Sequence, residues 1–211
     1  MMGQHTPDGL PLVDALDPAR DLDAEPPVTV ADPIEGLVRQ LLVEIGEDPD
    51  RPEILDTPAR FARWWREFID YEPGNIGTTF DLIHVDQMVA VTGVRVWSLC
   101  EHHLLPFYAD LTLAYIAQDR VLGLSKFARI AQMHAHRLQV QERLVTGIAD
   151  EIQSITEAQS VAVIARGEHL CMTMRGIRSP ATMHSSILRG LFKDDPAARA
   201  ELFALDGRTG S

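Results

Sequence analysis

Apolar residues recur along this chain with two different periods, and the change from one to the other divides it. In "DPIEGLVRQLLVEIGEDP", Ile34, Leu37, Leu41 and Ile45 fall at helical spacing, which predicts a helix with one apolar stripe. Asp32 suits its N-cap and Pro33 its first position. "DTPARFARWWREFIDY" repeats the signal, and Phe61, Trp64, Trp65 and Phe68 are expected on its buried side. Further on the period shortens. "MVAVTGVRVWSLC" and "FYADLTLAYIAQ" are β-rich and partly alternating, so two strands are predicted.

"DRVLGLS" reads as a turn and a short strand, and "SKFARIAQMHAHRL" and "VQERLVTGIADEIQSI" as two helices. "SVAVIARG", "HLCMTMRGI" and "ATMHSSILRG" are three further strand candidates. "DDPAARAELFAL" closes as a helix with an aspartate cap and Pro196 in its first turn. The order β-β-α-α-β-β, with helices at both ends, predicts an α+β domain and not a doubly wound sheet. Residues 1–30 carry five prolines and scattered aspartates without periodicity, the pattern of a mobile acidic tail. The expected organisation is tail over 1–30, helical region over 31–86 and main domain over 87–207.

Charge and composition narrow the function classes. A net charge of −12 speaks against general nucleic-acid binding, which needs a basic face. No apolar run approaches the roughly 20 residues that span a bilayer. The N-terminus lacks the basic start and apolar core of a secretory signal, so a cytoplasmic protein is expected. In a reducing compartment the two cysteines, Cys100 and Cys171, point to metal binding or catalysis. A disulfide between them is the competing reading, as is a pair of inert buried thiols.

The chemistry concentrates in a few stretches. In "SLCEHHLLPF", Cys100 and His103 have a spacing that lets two ligands converge on one tetrahedral ion. Adding Cys171 makes three donors and leaves one position open, the pattern of a catalytic zinc. In a strand "HLCMTMRGI", side chains alternate, so His169, Cys171, Thr173 and Arg175 would share one face and Leu170, Met172 and Met174 the other. His102 and His169 would then flank the metal as proton carriers. In "GLSKFARI", Ser125, Lys126 and Arg129 at a helix start suit an anion such as a phosphate, against an ordinary solvated helix face. Gln141 and Glu142 begin the next helix, where Glu142 is either a first-turn acid or a reader of a guanine edge. His5, His84, His134, His136 and His184 show no partner pattern and are expected on the surface or in packing.

Taken together, "SLCEHHLLPFY", "VLGLSKFARI", "RLQVQERL" and "HLCMTMRGI" resemble the successive signature segments of the GTP cyclohydrolase I family, from about Asp32 to about Leu205. The resemblance implies a zinc enzyme, one Zn2+ per subunit, that converts GTP and water to formate and 7,8-dihydroneopterin triphosphate in pterin biosynthesis. It implies Cys100, His103 and Cys171 as metal ligands and His102 and His169 as catalytic residues. It implies Ser125, Lys126, Arg129 and Arg175 at the triphosphate and ribose end, with Gln141 and Glu142 at the guanine. Arg60, in "DTPAR", matches a cation given to a neighbouring subunit. The implied fold is the tunnelling fold, with subunits joined in a toroidal homodecamer and sites between them. One departure is His184 in "ATMHSS", where the family commonly has a threonine. Two rival readings stand beside this one: a deazaguanine nitrile reductase of the same fold, and a non-catalytic zinc-binding scaffold.

Overall fold

The computed structural model of the chain describes residues 32–81 and 87–207. They fall into two compact units, one ending at Ala62 and one beginning at Arg63. The expected tail over 1–30, with His5, and also His84, lie outside the described residues.

In the first unit, α1 runs over Pro33–Glu44. Asp32 caps it as expected: its carboxylate accepts from the Ile34 N–H at 2.9 Å, and Glu35 returns the bond to the Asp32 N–H at 3.3 Å. This reciprocal box satisfies two N–H groups that a helix start leaves open. The apolar stripe is not buried along its length. Val38 is buried, whereas Leu37, Leu41 and Ile45 stay exposed.

Helix α2, Thr57–Ile69, begins in the first unit and ends in the second. Its aromatic side corrects the expectation. Phe68 is buried and Trp65 half-buried, but Phe61 and Trp64 are exposed. Helical periodicity fixes which residues share a face; it does not fix how deeply that face is buried. Phe68 is held because the His136 ring stacks on it at 5.0 Å and the His136 Nδ1–H donates to its carbonyl at 3.1 Å.

The second unit is built on a five-stranded sheet in the order β5-β2-β3-β6-β7. Its long strands are β2 (Gln87–Cys100), β3 (Pro106–Ala117), β6 (Val161–His169) and β7 (Thr182–Leu188), paired antiparallel. The two-residue β5 (Leu138–Gln139) joins β2 in parallel, and β1 (Thr79–Asp81) pairs with β4 (Arg120–Leu122) in a separate ribbon. Helices α3 (Leu124–Ala135) and α4 (Gln141–Thr156) cover one face. There Leu111, Leu113, Tyr115, Val161, Val163 and Ala165 meet Phe127, Ile130, Leu144 and Ile148. The alternate residues Ala114, Ile116, Ala162 and Ile164 face Phe192 and Leu202, from α6 (Leu191–Asp194) and α7 (Pro196–Leu205). Both faces of the sheet are therefore covered at this end, which is why β3 reads as alternating first and continuously apolar afterwards. At the other end Arg95 and Asp110 form a paired fork at 2.7 and 2.8 Å on the uncovered face.

One predicted strand is not a strand. β6 ends at His169, and Leu170–Thr173 turn into a short helix, α5. The reason lies in its neighbour. His169 pairs with Phe107, and β3 begins one residue earlier at Pro106, which has no N–H to give. Without a partner strand the backbone bonds to itself: the Met174 N–H reaches the Leu170 carbonyl at 3.0 Å. The two-faced alternation proposed for His169 to Arg175 lapses with it, and Met172 and Met174 are exposed instead of packed.

Candidate active site

The site forms where β2 and β6 both end. Cys100 is the last residue of β2 and is buried. The chain then reverses: the His103 and Leu104 N–H groups both donate to the Cys100 carbonyl, at 3.2 and 2.8 Å, and the Cys100 N–H donates to Leu105 at 2.8 Å. Leu104 accepts φ 55° to close this turn, a conformation that strains a side-chain-bearing residue. The turn swings His102 and His103 back over the cysteine, with Nδ1 of each at 3.9 and 3.8 Å from Cys100 Sγ. From the other strand end, α5 brings in Cys171. One donor atom from each of Cys100, His103 and Cys171 lies within 4.8 Å of the others, and both thiols are free. No disulfide joins them in this structure. Burial, followed by the facing Cys100 thiol, pushes the Cys171 thiol above its usual range. Two thiols and an imidazole gathered at one point are a donor set that a metal ion fits.

Arg175 lies four residues beyond Cys171, and its guanidinium contacts His103 Nε2 at 2.7 Å. A guanidinium only donates, so Nε2 accepts and the ring proton sits on Nδ1, facing Cys100. His169, two residues before Cys171, stacks on Phe107 at 4.4 Å and 6° between planes. Its Nε2 lies 3.0 Å from Gln141 Oε1. Burial lowers its pKa, while Glu142 nearby opposes that shift. Gln141 is fully buried at the start of α4, its amide engaged by protein groups. Glu142, the next residue, is exposed.

Ser125, Lys126 and Arg129 stand on the first turns of α3, as expected from the sequence, with Ser125 and Arg129 exposed. Both cations are already engaged by the loop that follows α2: Lys126 Nζ donates to the Asn75 carbonyl at 2.7 Å and Arg129 to that of Pro73 at 2.6 Å. Gly74 permits this approach, since a Cβ there would come within 2.6 Å of the Arg129 guanidinium, and its φ is +64°. Arg60 belongs to the first unit and pairs with Asp56 at 3.2 Å.

Sequence reasoning left one contact out entirely. Glu101, inside the Cys-His turn, forms a two-pronged pair with Arg143 of α4 at 2.8 and 3.0 Å, and this hydrogen bond holds its carboxyl below the usual range. The Glu101 N–H also donates to Gln139 at 3.1 Å. The turn that carries the donors is thereby tied to the helix that carries Gln141 and Glu142. Among the other histidines, His134 and His136 are packed between helices, and His184 lies on β7 opposite Arg166.

Comparisons with known proteins identify the family. The model of the family described as GTP cyclohydrolase I matches residues 34–206. A GTP cyclohydrolase 1 of Corynebacterium glutamicum is 46% identical over 175 residues, 80% of this chain and 89% of that protein. One from Mycobacteroides abscessus is 47% identical over 83% of this chain and 89% of its own length. One from Deinococcus radiodurans is 39% identical over 88% and 94% respectively. A solved structure of the archaeosine synthase QueF-Like in the apo form is a distant likeness, with TM-score 0.38 and 15% identity over 47% of this chain and 91% of that one. No helix among the described residues is long and apolar enough to cross a membrane. With the motif segments, the donor cluster and a match along most of its length, this chain belongs to the GTP cyclohydrolase I family.

Proposed function

We propose that the chain converts GTP and water to formate and 7,8-dihydroneopterin triphosphate, with Zn2+ held by Cys100, His103 and Cys171. The observation that carries this reading is the convergence of those three donors at the ends of two strands, with His102 against Cys100 and His169 two residues before Cys171. Three donors leave a coordination position open, as catalytic zinc requires. When bound there, zinc supplies Lewis-acid activation of water and of the carbon it attacks.

The chain's own residues would do the rest. Glu142, exposed at the start of α4, presents a carboxylate that accepts the paired N–H groups of a guanine edge. Ser125, Lys126 and Arg129 at the start of α3, with Arg175, offer hydroxyl and cationic donors to the triphosphate and ribose end. A chain of net charge −12 repels an anion overall, so this local cluster has to supply the attraction. Lys126 and Arg129 are held in place by loop carbonyls, and a fixed cation loses less side-chain freedom when substrate arrives. Arg60 is a further cation, proposed to act on a neighbouring subunit's site.

The reaction opens the five-membered ring at C8, releases that carbon as formate and closes a six-membered ring with ribose carbons. Each stage moves protons, and His102 and His169 are proposed to carry them. His169 is held rigidly, by the stack on Phe107 and the bond to Gln141, whereas His102 is exposed on a turn. One packed and one exposed imidazole suit a sequence in which the substrate changes shape between transfers. The tunnelling fold, with subunits closed into a toroidal decamer in the cytoplasm, is the assembly this reading carries. GTP-dependent release of formate, followed with the fluorescence of the oxidised pterin product, tests it.

A further inference from the structure

The geometry points to Gln141 as a positioning residue that fixes which nitrogen of His169 carries the ring proton, leaving Nδ1 as the atom that exchanges protons with the substrate. Gln141 is fully buried. Its amide nitrogen lies 3.0 Å from Ser185 Oγ and 3.2 Å from the Met183 carbonyl, with a longer approach of 3.5 Å to the Ala165 carbonyl. Main-chain carbonyls only accept, so the amide cannot be turned over without setting its oxygen against two of them. The oxygen must therefore face the other way, toward His169 Nε2 at 3.0 Å. An amide oxygen only accepts. The partner Nε2 must donate, and a neutral imidazole with its proton on Nε2 keeps its lone pair on Nδ1.

Two further features make the arrangement rigid. The Phe107 ring, itself buried, lies parallel to His169 at 4.4 Å and allows the imidazole only in-plane adjustment. Gly167 provides the room: a Cβ there would sit 2.6 Å from Gln141 Oε1 and 2.3 Å from the Tyr108 carbonyl. The strand pair β3–β6, the start of α4 and strand β7 thus meet at one amide, whose outward end is a catalytic histidine. The Ser185 that holds this amide belongs to the same "ATMHSS" segment in which His184 departs from the family pattern.

The inference rests on the reading of His169 as a proton carrier, and its test is separable from that reading. Magic-angle-spinning 15N spectra of the full-length, metal-replete protein labelled at histidine would identify the protonated ring nitrogen. The His169 signals are assigned by their loss in His169→Asn. The expected result is a proton on His169 Nε2, the nitrogen that faces Gln141. A His169 whose Nε2 carries no proton overturns the proposal, whatever the enzyme does with GTP. Gln141→Met keeps the length of the side chain and removes the acceptor. We expect His169 to populate the other tautomer and kcat to fall roughly 100-fold, the scale of one well-placed proton carrier, with KM for GTP little changed. A rise in KM at unchanged kcat would instead make Gln141 a substrate contact and overturn the proposal. Should Gln141→Met fail to fold, the wild-type spectrum alone still decides. Wild-type protein that releases no formate refutes the cyclohydrolase reading and leaves the tautomer result standing.

Discussion

His134 gives the clearest quantitative prediction outside the site. It lies near the end of α3 with its side chain only 15% exposed, packed so closely on α4 that a Cβ at Gly147 would come within 2.6 Å of its ring. Burial, helped by the charge of Arg137 and opposed by Asp150, lowers its pKa from 6.5 to about 4. Glu151 stands 3.8 Å away, too far for a hydrogen bond. In the unfolded chain the same imidazole takes up a proton near 6.5. Below that pH the unfolded state therefore binds a proton that the folded state refuses. The contribution to stability is complete above about 6.5 and is lost as pH falls toward about 4. At about 1.4 kcal/mol per pH unit the whole interval sets a ceiling of about 3.5 kcal/mol. Partial solvent access reduces the expected loss to roughly 1–3 kcal/mol. Urea unfolding by circular dichroism between pH 7.5 and 4.5 measures it in wild type and in His134→Leu. Metal release at low pH affects both proteins and cancels in the difference. Wild type should lose stability faster than the variant across this window; parallel curves would refute the reasoning.

Two further predictions concern the site. Arg175 holds the Nε2 of a proposed metal ligand and is also a proposed substrate cation, so Arg175→Ala should act in opposite directions: tighter zinc binding in a chelator competition, but a raised KM for GTP. Weaker zinc binding in that variant would contradict the competition. Glu101→Gln unties the Cys-His turn from α4 at an exposed pair, so the unfolding midpoint should stay put. Zinc affinity or kcat should fall about tenfold, as for other groups that orient metal ligands; unchanged values in both would make the pair a surface contact only.

Much of this architecture was legible in the chain. The capped starts of α1 and α7, the amphipathic α3 and α4, and the long strands β2, β3 and β6 follow from local periodicity and turn chemistry. The stretch after His169 did not, because whether a period-two run becomes a strand depends on a partner, and the partner strand starts at Pro106. The exposed sides of Phe61 and Trp64 illustrate the same limit, since periodicity names a face without naming what covers it. Within the site, Cys100 and His103 are neighbours in sequence and Cys171 was the single remaining cysteine, so the donor set could be assembled by counting. The supporting contacts could not. Gln141 meets His169 across 28 residues and Glu101 meets Arg143 across 42, and no local signal links either pair.

The most direct test of the account measures bound metal and GTP turnover on one sample. Wild-type protein should carry about one zinc per chain and release formate in step with the pterin product, and Cys171→Ser should lose zinc and formate release together. Metal-replete protein that binds GTP and yields no formate would contradict the central claim.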